Sequence, residues 1–346
     1  MKLIIKVLED TDYAPYIQQE PSNLPVNVLR KKLKQKLAEE FEYLQTQSVF
    51  PLSEFLRRIS LKYMIDNVVN MIEGIKNKVD FDILYENREP LGDFPEIKNM
   101  RIADADDFGT LYSTVLIDTP VGPYFIKFLE QYTEANQNLS MNEIQQFFKD
   151  VKPEEIRTSL KKLWLEDFYV FCEENLSATS QDFMLDILKF EADFKTIQII
   201  YNSIGNRELS SADQRSSKRK RLCPSLGYLY PDCEKALVDS SSLDQLREAV
   251  KGINGYYDLL KDAPDPSKRE EFGPQTASLD DLMYYEELKK FSLGFEEQAH
   301  YAIFYAYIRL KEQEIRNIVW LAEMITRKLP KNNPGWRKYL VPFRYE

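Results

Sequence analysis

An all-α fold is what this 346-residue sequence predicts, and three observations carry the prediction. Apolar residues recur at steps of three and four over long stretches, the signature of helices with one buried face. Glycine is scarce, at 11 residues, which disfavours sandwiches, barrels and doubly wound sheets, whose turns and phosphate loops need it. The third observation is a faint internal likeness. The run Lys311-Glu-Gln-Glu-Ile-Arg-Asn-Ile-Val-Trp-Leu-Ala-Glu323 has weaker counterparts in Tyr63-Met-Ile-Asp-Asn-Val68 and Glu191-Ala-Asp-Phe-Lys-Thr-Ile197. Aligned on the small polar residue that precedes an aliphatic one, the anchors are Asn67, Thr196 and Asn317, spaced by 129 and 121 residues. That period is far longer than the roughly 20 to 50 residues of a solenoid unit. It predicts three related helical lobes, residues 1–90, 91–215 and 216–346, the first of them shortened at its N-terminus. Triplication of this kind points to a scaffold before it points to an enzyme.

The bulk numbers narrow the function further. Hydrophobic residues make up 43% and aromatics 13%, enough for a sizeable core. A net charge of −10 excludes nucleic-acid binding by the general surface, since phosphate contacts need a basic footprint. No stretch approaches the ~20 apolar residues that cross a bilayer, and no apolar segment follows the start, so any membrane link is expected through a partner. Cys172, Cys223 and Cys233 form no C-x-x-C pair, which predicts neither a disulfide framework nor a zinc site and fits a reducing, cytosolic setting. His300, the single histidine, removes histidine triads and histidine-rich metal sites and reads as a packed or half-exposed structural residue.

Residues 26–47 read as an amphipathic helix with Val26, Leu29, Leu33, Leu37, Phe41 and Leu44 on one face. Arg30, Lys31, Lys32, Lys34 and Lys36 are expected on its outer face, balanced by Glu39, Glu40 and Glu42. A second helix is predicted from 52 to 75, after Pro51, with Ser53 as N-cap and an end near Gly74. From Val79 to Pro123, turn chemistry such as Glu89-Pro-Leu-Gly92 and Asp118-Thr-Pro-Val-Gly-Pro123 predicts short helices and turns. Helices follow at 140–149, 154–175 and 180–203, the second opened by Pro153, Glu154 and Glu155, whose charges suit a helix N-terminus.

Residues 205–224 read as a solvated loop ending in Lys218-Arg-Lys-Arg221, whose functional readings are a nuclear signal, a phosphate contact or a docking point for a partner. A hinge is predicted at 262–278. Ser278 then caps a helix to about Lys290, Gly294 marks a break, and a helix of ~30 residues runs to Leu329. Ile308, Ile315, Ile318, Val319, Ala322 and Ile325 form its apolar stripe. Glu312 with Arg316 and Glu323 with Arg327 are i, i+4 pairs on its charged one, each contributing only about 0.2–0.5 kcal/mol.

Catalytic readings fail on their own terms. Asp280-Asp-Leu-Met-Tyr-Tyr-Glu-Glu287 and Asp104-Ala-Asp-Asp107 supply acids for a magnesium-dependent helical synthase, but the first lacks the later carboxylate, and its aspartates sit where helix-start acids are expected. Asn206 and Ser210 make half of a second metal motif, with Gln214 where an acid is needed. No phosphate-binding loop, nucleophile elbow or H-E-x-x-H motif occurs. No cofactor and no metal is expected. The acids at the repeat anchors, Asp66, Glu191, Asp193, Glu312 and Glu314, read with Arg316 as hydrogen-bond clamps between helices rather than as ligands.

The segments Tyr63–Val68, Pro90-Leu-Gly92, Asp118-Thr-Pro120, Leu165-Glu-Asp-Phe-Tyr169, Phe190-Glu-Ala-Asp193, Tyr201-Asn-Ser203, Leu229-Tyr-Pro231 and 311–323 occur in this order over essentially the whole chain. Together they resemble the subunit d family of the vacuolar-type (V-type) proton-pumping ATPase and, more distantly, its counterpart in the archaeal-type enzymes. The resemblance implies an all-α, three-lobed, funnel-shaped subunit without catalytic residues of its own. It implies a place on the cytosolic side of vacuolar or endosomal membranes, seated on the proteolipid c-ring, receiving the central stalk subunits D and F and passing torque to proton transport. Two departures accompany it. The first lobe is shorter than the family's, which predicts that part of the 52–75 helix is left uncovered. The basic run at Lys218, Arg219, Lys220 and Arg221 is inserted, with Phe194 where the family tends to carry arginine.

Overall fold

A computed structural model describes residues 2–18, 24–102, 112, 117–133, 140–206, 211–267, 279–296, 300–329 and 340. Among them every regular element is helical. The helices are α1 (Lys2–Leu8), α2 (Ala14–Ile17), α3 (Val26–Gln47), α4 (Leu52–Lys76), α5 (Phe81–Glu86), α6 (Gly122–Thr133), α7 (Met141–Asp150) and α8 (Pro153–Asn175). They continue with α9 (Ala178–Ser203), α10 (Ala212–Leu222), α11 (Glu234–Asp239), α12 (Leu243–Ala249), α13 (Tyr256–Lys261), α14 (Leu279–Glu296) and α15 (Ala302–Thr326). Short 3-10 helices cover Pro90–Gly92 and Pro95–Ile102. The chain divides into two compact units, one of residues 45–175, the other of residues 1–44 with 176–346.

In the 45–175 unit, α4 packs on α8, on α5 and on the 3-10 turn at Pro90–Gly92. Phe55 meets Phe168 at 5.3 Å between ring centroids, and Trp164 lies 5.7 Å from the same ring while its indole N–H donates to the Arg58 carbonyl at 2.7 Å. Of α4, Arg57 and Asn70 are exposed, and its cover within this unit comes from α8, α5 and the Pro90–Gly92 turn. Ser53 is not the cap of α4. Pro51 occupies that position without a side-chain bond, its carbonyl accepting from the Phe55 N–H at 3.0 Å. α7 opens with a complete capping box between Ser140 and Glu143. At its other end the Lys76 ammonium donates to the carbonyls of Lys149 (2.8 Å) and Val151 (3.1 Å), a cation where the helix dipole is negative.

In the other unit, Val26, Leu29, Leu33, Leu37 and Phe41 form the buried seam of α3. Lys36, expected outside, is buried, because Asp12 (2.8 Å) and Glu40 both pair with its ammonium while its stem packs inward. α9 is the spine, with α14 and α15 packed on it and on each other. Its C-terminal half shares a core with α10 to α13, where Ile197, Ile200, Leu246 and Leu260 are fully buried.

Three further expectations change here. Residues 212–222, expected in a loop, form α10, started by Ser211, whose hydroxyl accepts from the Gln214 N–H at 3.2 Å. Gly294 does not break a helix. It lies inside α14, buried, and a Cβ there would approach the Phe183 ring to 3.0 Å, so the glycine allows close packing. The last helix begins at Ala302 rather than just after Gly294. Most of the predicted hinge, the Ser278 cap and Asp104–Asp107 lie outside the described residues. His300 is 3% exposed and stacks on Phe183 at 4.8 Å. All three cysteines are free thiols. No described helix is long and apolar enough to cross a membrane.

Candidate functional site

The polar residues of the repeat anchors occupy mid-helix positions, where burial makes every donor and acceptor need a partner. In the 45–175 unit Asn67 is 1% exposed. Its amide N–H groups donate to the carbonyls of Glu89 (2.9 Å) and Gly92 (2.8 Å), and its amide oxygen accepts from the Glu89 N–H (2.7 Å). One side chain thus fastens the Glu89–Gly92 turn to α4. The turn comes close enough that a Cβ at Gly92 would fall well inside van der Waals distance of the Tyr63 backbone. Asp66, beside it, turns to α8 and pairs with Arg157 (2.9 Å) and Lys161 (2.7 Å). Replacing Asn67 with alanine is expected to destabilise the unit by about 2–3 kcal/mol, because three backbone groups lose their partner at once. Chemical denaturation checks this; a loss under about 0.5 kcal/mol means water replaces the amide without cost.

The other unit holds a turn with an acid that stands three residues before the anchor Thr196. Asp193, 1% exposed, accepts from the N–H groups of Tyr228 (3.0 Å) and Leu229 (3.1 Å) and from the Tyr256 hydroxyl (2.9 Å). Gly227, at φ +122°, brings that segment against the carboxylate, where a side chain would collide with it. Burial pushes the Asp193 carboxyl up from 3.8 to about 6, against the opposing pull of those three donors and Lys189. Glu191, two residues earlier, accepts from the buried Tyr305 hydroxyl of α15. Thr196 is buried against the same segment as Cys223 and Leu229.

On α15 the pairing differs from the i, i+4 expectation. Glu312 bonds Arg309 at 2.9 Å, three residues back, because Arg309 is held in place by Glu287 of α14 at 2.8 Å. Arg316 instead lies over the Tyr284 ring at 5.0 Å, with Asp281 at 3.9 Å. Glu323 with Arg327 (3.3 Å) does form, and Glu314 pairs with Lys311 at 3.1 Å. Asn317 accepts from the amide of Gln313, a fully buried residue that the linear pattern does not single out. Arg309 belongs to the stripe read as charged and Glu287 to the acidic run at 280–287, but their pairing across α14 and α15, and the buried Tyr305, escape sequence reading.

The basic run on α10 divides. Lys220 is exposed, Lys218 and Arg221 are half-buried, and Arg219 is 1% exposed. The Arg219 guanidinium donates to the Ser203 hydroxyl (2.8 Å) and to the carbonyls of Val238 (2.9 Å), Ser240 and Ile200 (3.4 Å). Burial, with Arg215 near, lowers it to about 10, so it stays charged at neutral pH. Among the described residues no group of three or more potential metal-ligating side chains converges. Asp280, an acid of the magnesium reading, accepts from Gln198 at 2.8 Å. Asn67, Asp193 and Arg219 each fasten distant backbone to a helix, and Glu287 with Arg309 ties α14 to α15.

Comparison with known proteins gives this geometry a setting. A family model described as ATP synthase (C/AC39) subunit matches residues 2–336. The chain is similar to a probable V-type proton ATPase subunit d of Oryza sativa subsp. japonica, 36% identical over 92% of this chain and 82% of the relative. It is 37% identical to the V-type proton ATPase subunit d of Dictyostelium discoideum, over 92% and 81%. To that of Saccharomyces cerevisiae it is 31% identical, over 92% and 83%.

Proposed function

This chain belongs to the ATP synthase (C/AC39) subunit family, and we propose that it is the subunit d of a V-type proton ATPase that couples the rotating central stalk to the membrane ring. Its part in the machine is that of an accessory subunit, not a catalytic one. In this reading it sits on the proteolipid c-ring, receives subunits D and F, and hands on the torque that moves protons. Its contact with the vacuolar or endosomal membrane then runs through the ring. The observation that carries the reading is likeness to subunits d over 92–93% of the chain at 30–37% identity.

The fastening described above supports it. A torque-bearing element must resist twisting, and close-packed helices of low compressibility do so. Buried polar clamps add directional bonds that shear cannot slide past. Asn67 and Asp193 each hold a glycine-containing turn, though Asp193 lies three residues before the anchor Thr196; the three-lobed repeat is kept as part of the proposal on the sequence likeness of the anchors.

The test is purification of the tagged full chain from native membranes. We expect it to co-migrate with proteolipid, D and F, and its depletion to abolish ATP-driven acidification. A chain recovered alone, with acidification intact in its absence, overturns the reading in favour of a free helical scaffold.

A further inference from the structure

A short groove in the unit of residues 1–44 and 176–346 has no role in the fastening. Its volume is about 590 Å³, and Tyr16, Tyr43, Phe295, Phe304 and Tyr307 supply its aromatic walls. Two of these rings are set outward: Tyr43 is 66% exposed and Phe295 38%. Solvated aromatics of this size are costly unless something covers them. The edge of the groove is acidic. Glu39 and Glu40 line it, exposed Glu42 stands one turn from Glu39 on the same helix, exposed Glu296 follows Phe295, and among the described residues no lining side chain is basic. Glu39 is already oriented by the Tyr16 hydroxyl and by the Gln35 amide at 2.9 Å, and Glu40 by Lys36 and by the Tyr307 hydroxyl at 2.7 Å. Their carboxylates are therefore fixed rather than free to swing away.

The dimensions select the occupant. α3 contributes Glu39 to Leu44 and α15 contributes Ile303 to Tyr307, little more than a turn each, or about 8 Å. That accommodates an i, i+4 pair of apolar side chains from a crossing helix. Carboxylates along the rim repel an anionic membrane surface and attract a cationic segment, an effect on encounter and register more than on affinity. Arginine also stacks on tyrosine and phenylalanine faces.

We infer that this groove docks a helical segment of a neighbouring polypeptide, one that presents an apolar anchor flanked within a turn by arginine or lysine. The inference rests on the reading above that the chain works inside an assembly, and adds a surface and a partner chemistry to it.

The experiment places the photo-cross-linker p-benzoylphenylalanine at position 43 of the full chain and isolates the assembled complex after irradiation. Position 43 is exposed enough that the substitution leaves the core intact. The expected product joins this chain to a second subunit through a peptide with an apolar residue and arginine or lysine within four positions. Glu39→Gln with Glu42→Gln, both on the surface, should lower its yield at least fivefold. A cross-link within this chain, to lipid, or to a peptide without a basic residue overturns the inference. So does the absence of product from complexes that contain the chain. Failure of the unsubstituted chain to enter any complex overturns the parent reading and this inference with it, whereas incorporation without the expected product removes the groove alone.

Discussion

Arg219→Ala is expected to lower stability by about 3–5 kcal/mol, the largest effect of any single substitution in the basic run. The guanidinium reaches the last turn of α9 through Ile200 and Ser203, and the end of α11 through Val238 and Ser240. Both helix ends carry carbonyls without intrahelical partners and a partial negative charge. From the last turn of α10, Arg219 satisfies the carbonyls of Val238 and Ser240 and shares that of Ile200 with the Ser203 hydroxyl, so alanine leaves buried acceptors empty at the end of α11 and removes a donor at the end of α9. Arg219→Lys keeps the charge but loses the fork of five donors, and should fall between wild type and alanine. Lys220→Ala, one residue on and exposed, is the control and should stay within about 0.5 kcal/mol of wild type. Urea midpoints of the four proteins decide it. If Arg219→Ala unfolds with the Lys220→Ala protein, the buried fork contributes nothing and water fills its place.

Asp193 should give the second largest loss, about 3 kcal/mol for Asp193→Ala, because two buried backbone N–H groups and the Tyr256 hydroxyl are left without an acceptor. Asparagine is no rescue. Its amide NH₂ must take the place of one carboxylate oxygen and face an N–H, donor against donor. The pH dependence has a definite sign. The folded carboxyl, raised by burial to about 6, holds its proton more tightly than the unfolded one near 3.8. Between those values the native state binds more protons, so this group's contribution to stability falls as pH rises from about 4 to 6. The span corresponds to at most about 3 kcal/mol. Asp193→Asn does not titrate, so the gap between wild type and variant should widen as pH is lowered from 7 to 4. A gap that narrows over that range means the three donors outweigh desolvation and hold the carboxyl below its ordinary value.

These two residues also mark how far the sequence can be read. Asp193 stands out because it recurs at a repeat anchor, yet nothing in the linear pattern says that its partners are backbone N–H groups 35 and 36 residues away. Arg219 is legible only as part of a basic run, which composition reads as solvent-facing. Its burial depends on two helix ends arriving from elsewhere in the chain. Lys36 fails in the same way, since a lysine among lysines looks external until Asp12 and Glu40 are brought to it. Gly294 reads as a helix breaker because propensity is local. The ring of Phe183, which requires the missing Cβ, is not.

What the sequence determined by itself was the helical class and most helix positions, among them 26–47, 52–75 and 154–175, each met by the structure to within a residue, because a 3.6-residue apolar period is written in neighbours along the chain. The order of its motifs also determined the family. Only the tertiary structure decided which polar groups go inside: Asn67, Asp193 and Arg219 are buried because distant backbone and side-chain groups meet them there. A buried polar residue is stable only with its partner in place, and partner and distance both belong to the folded chain.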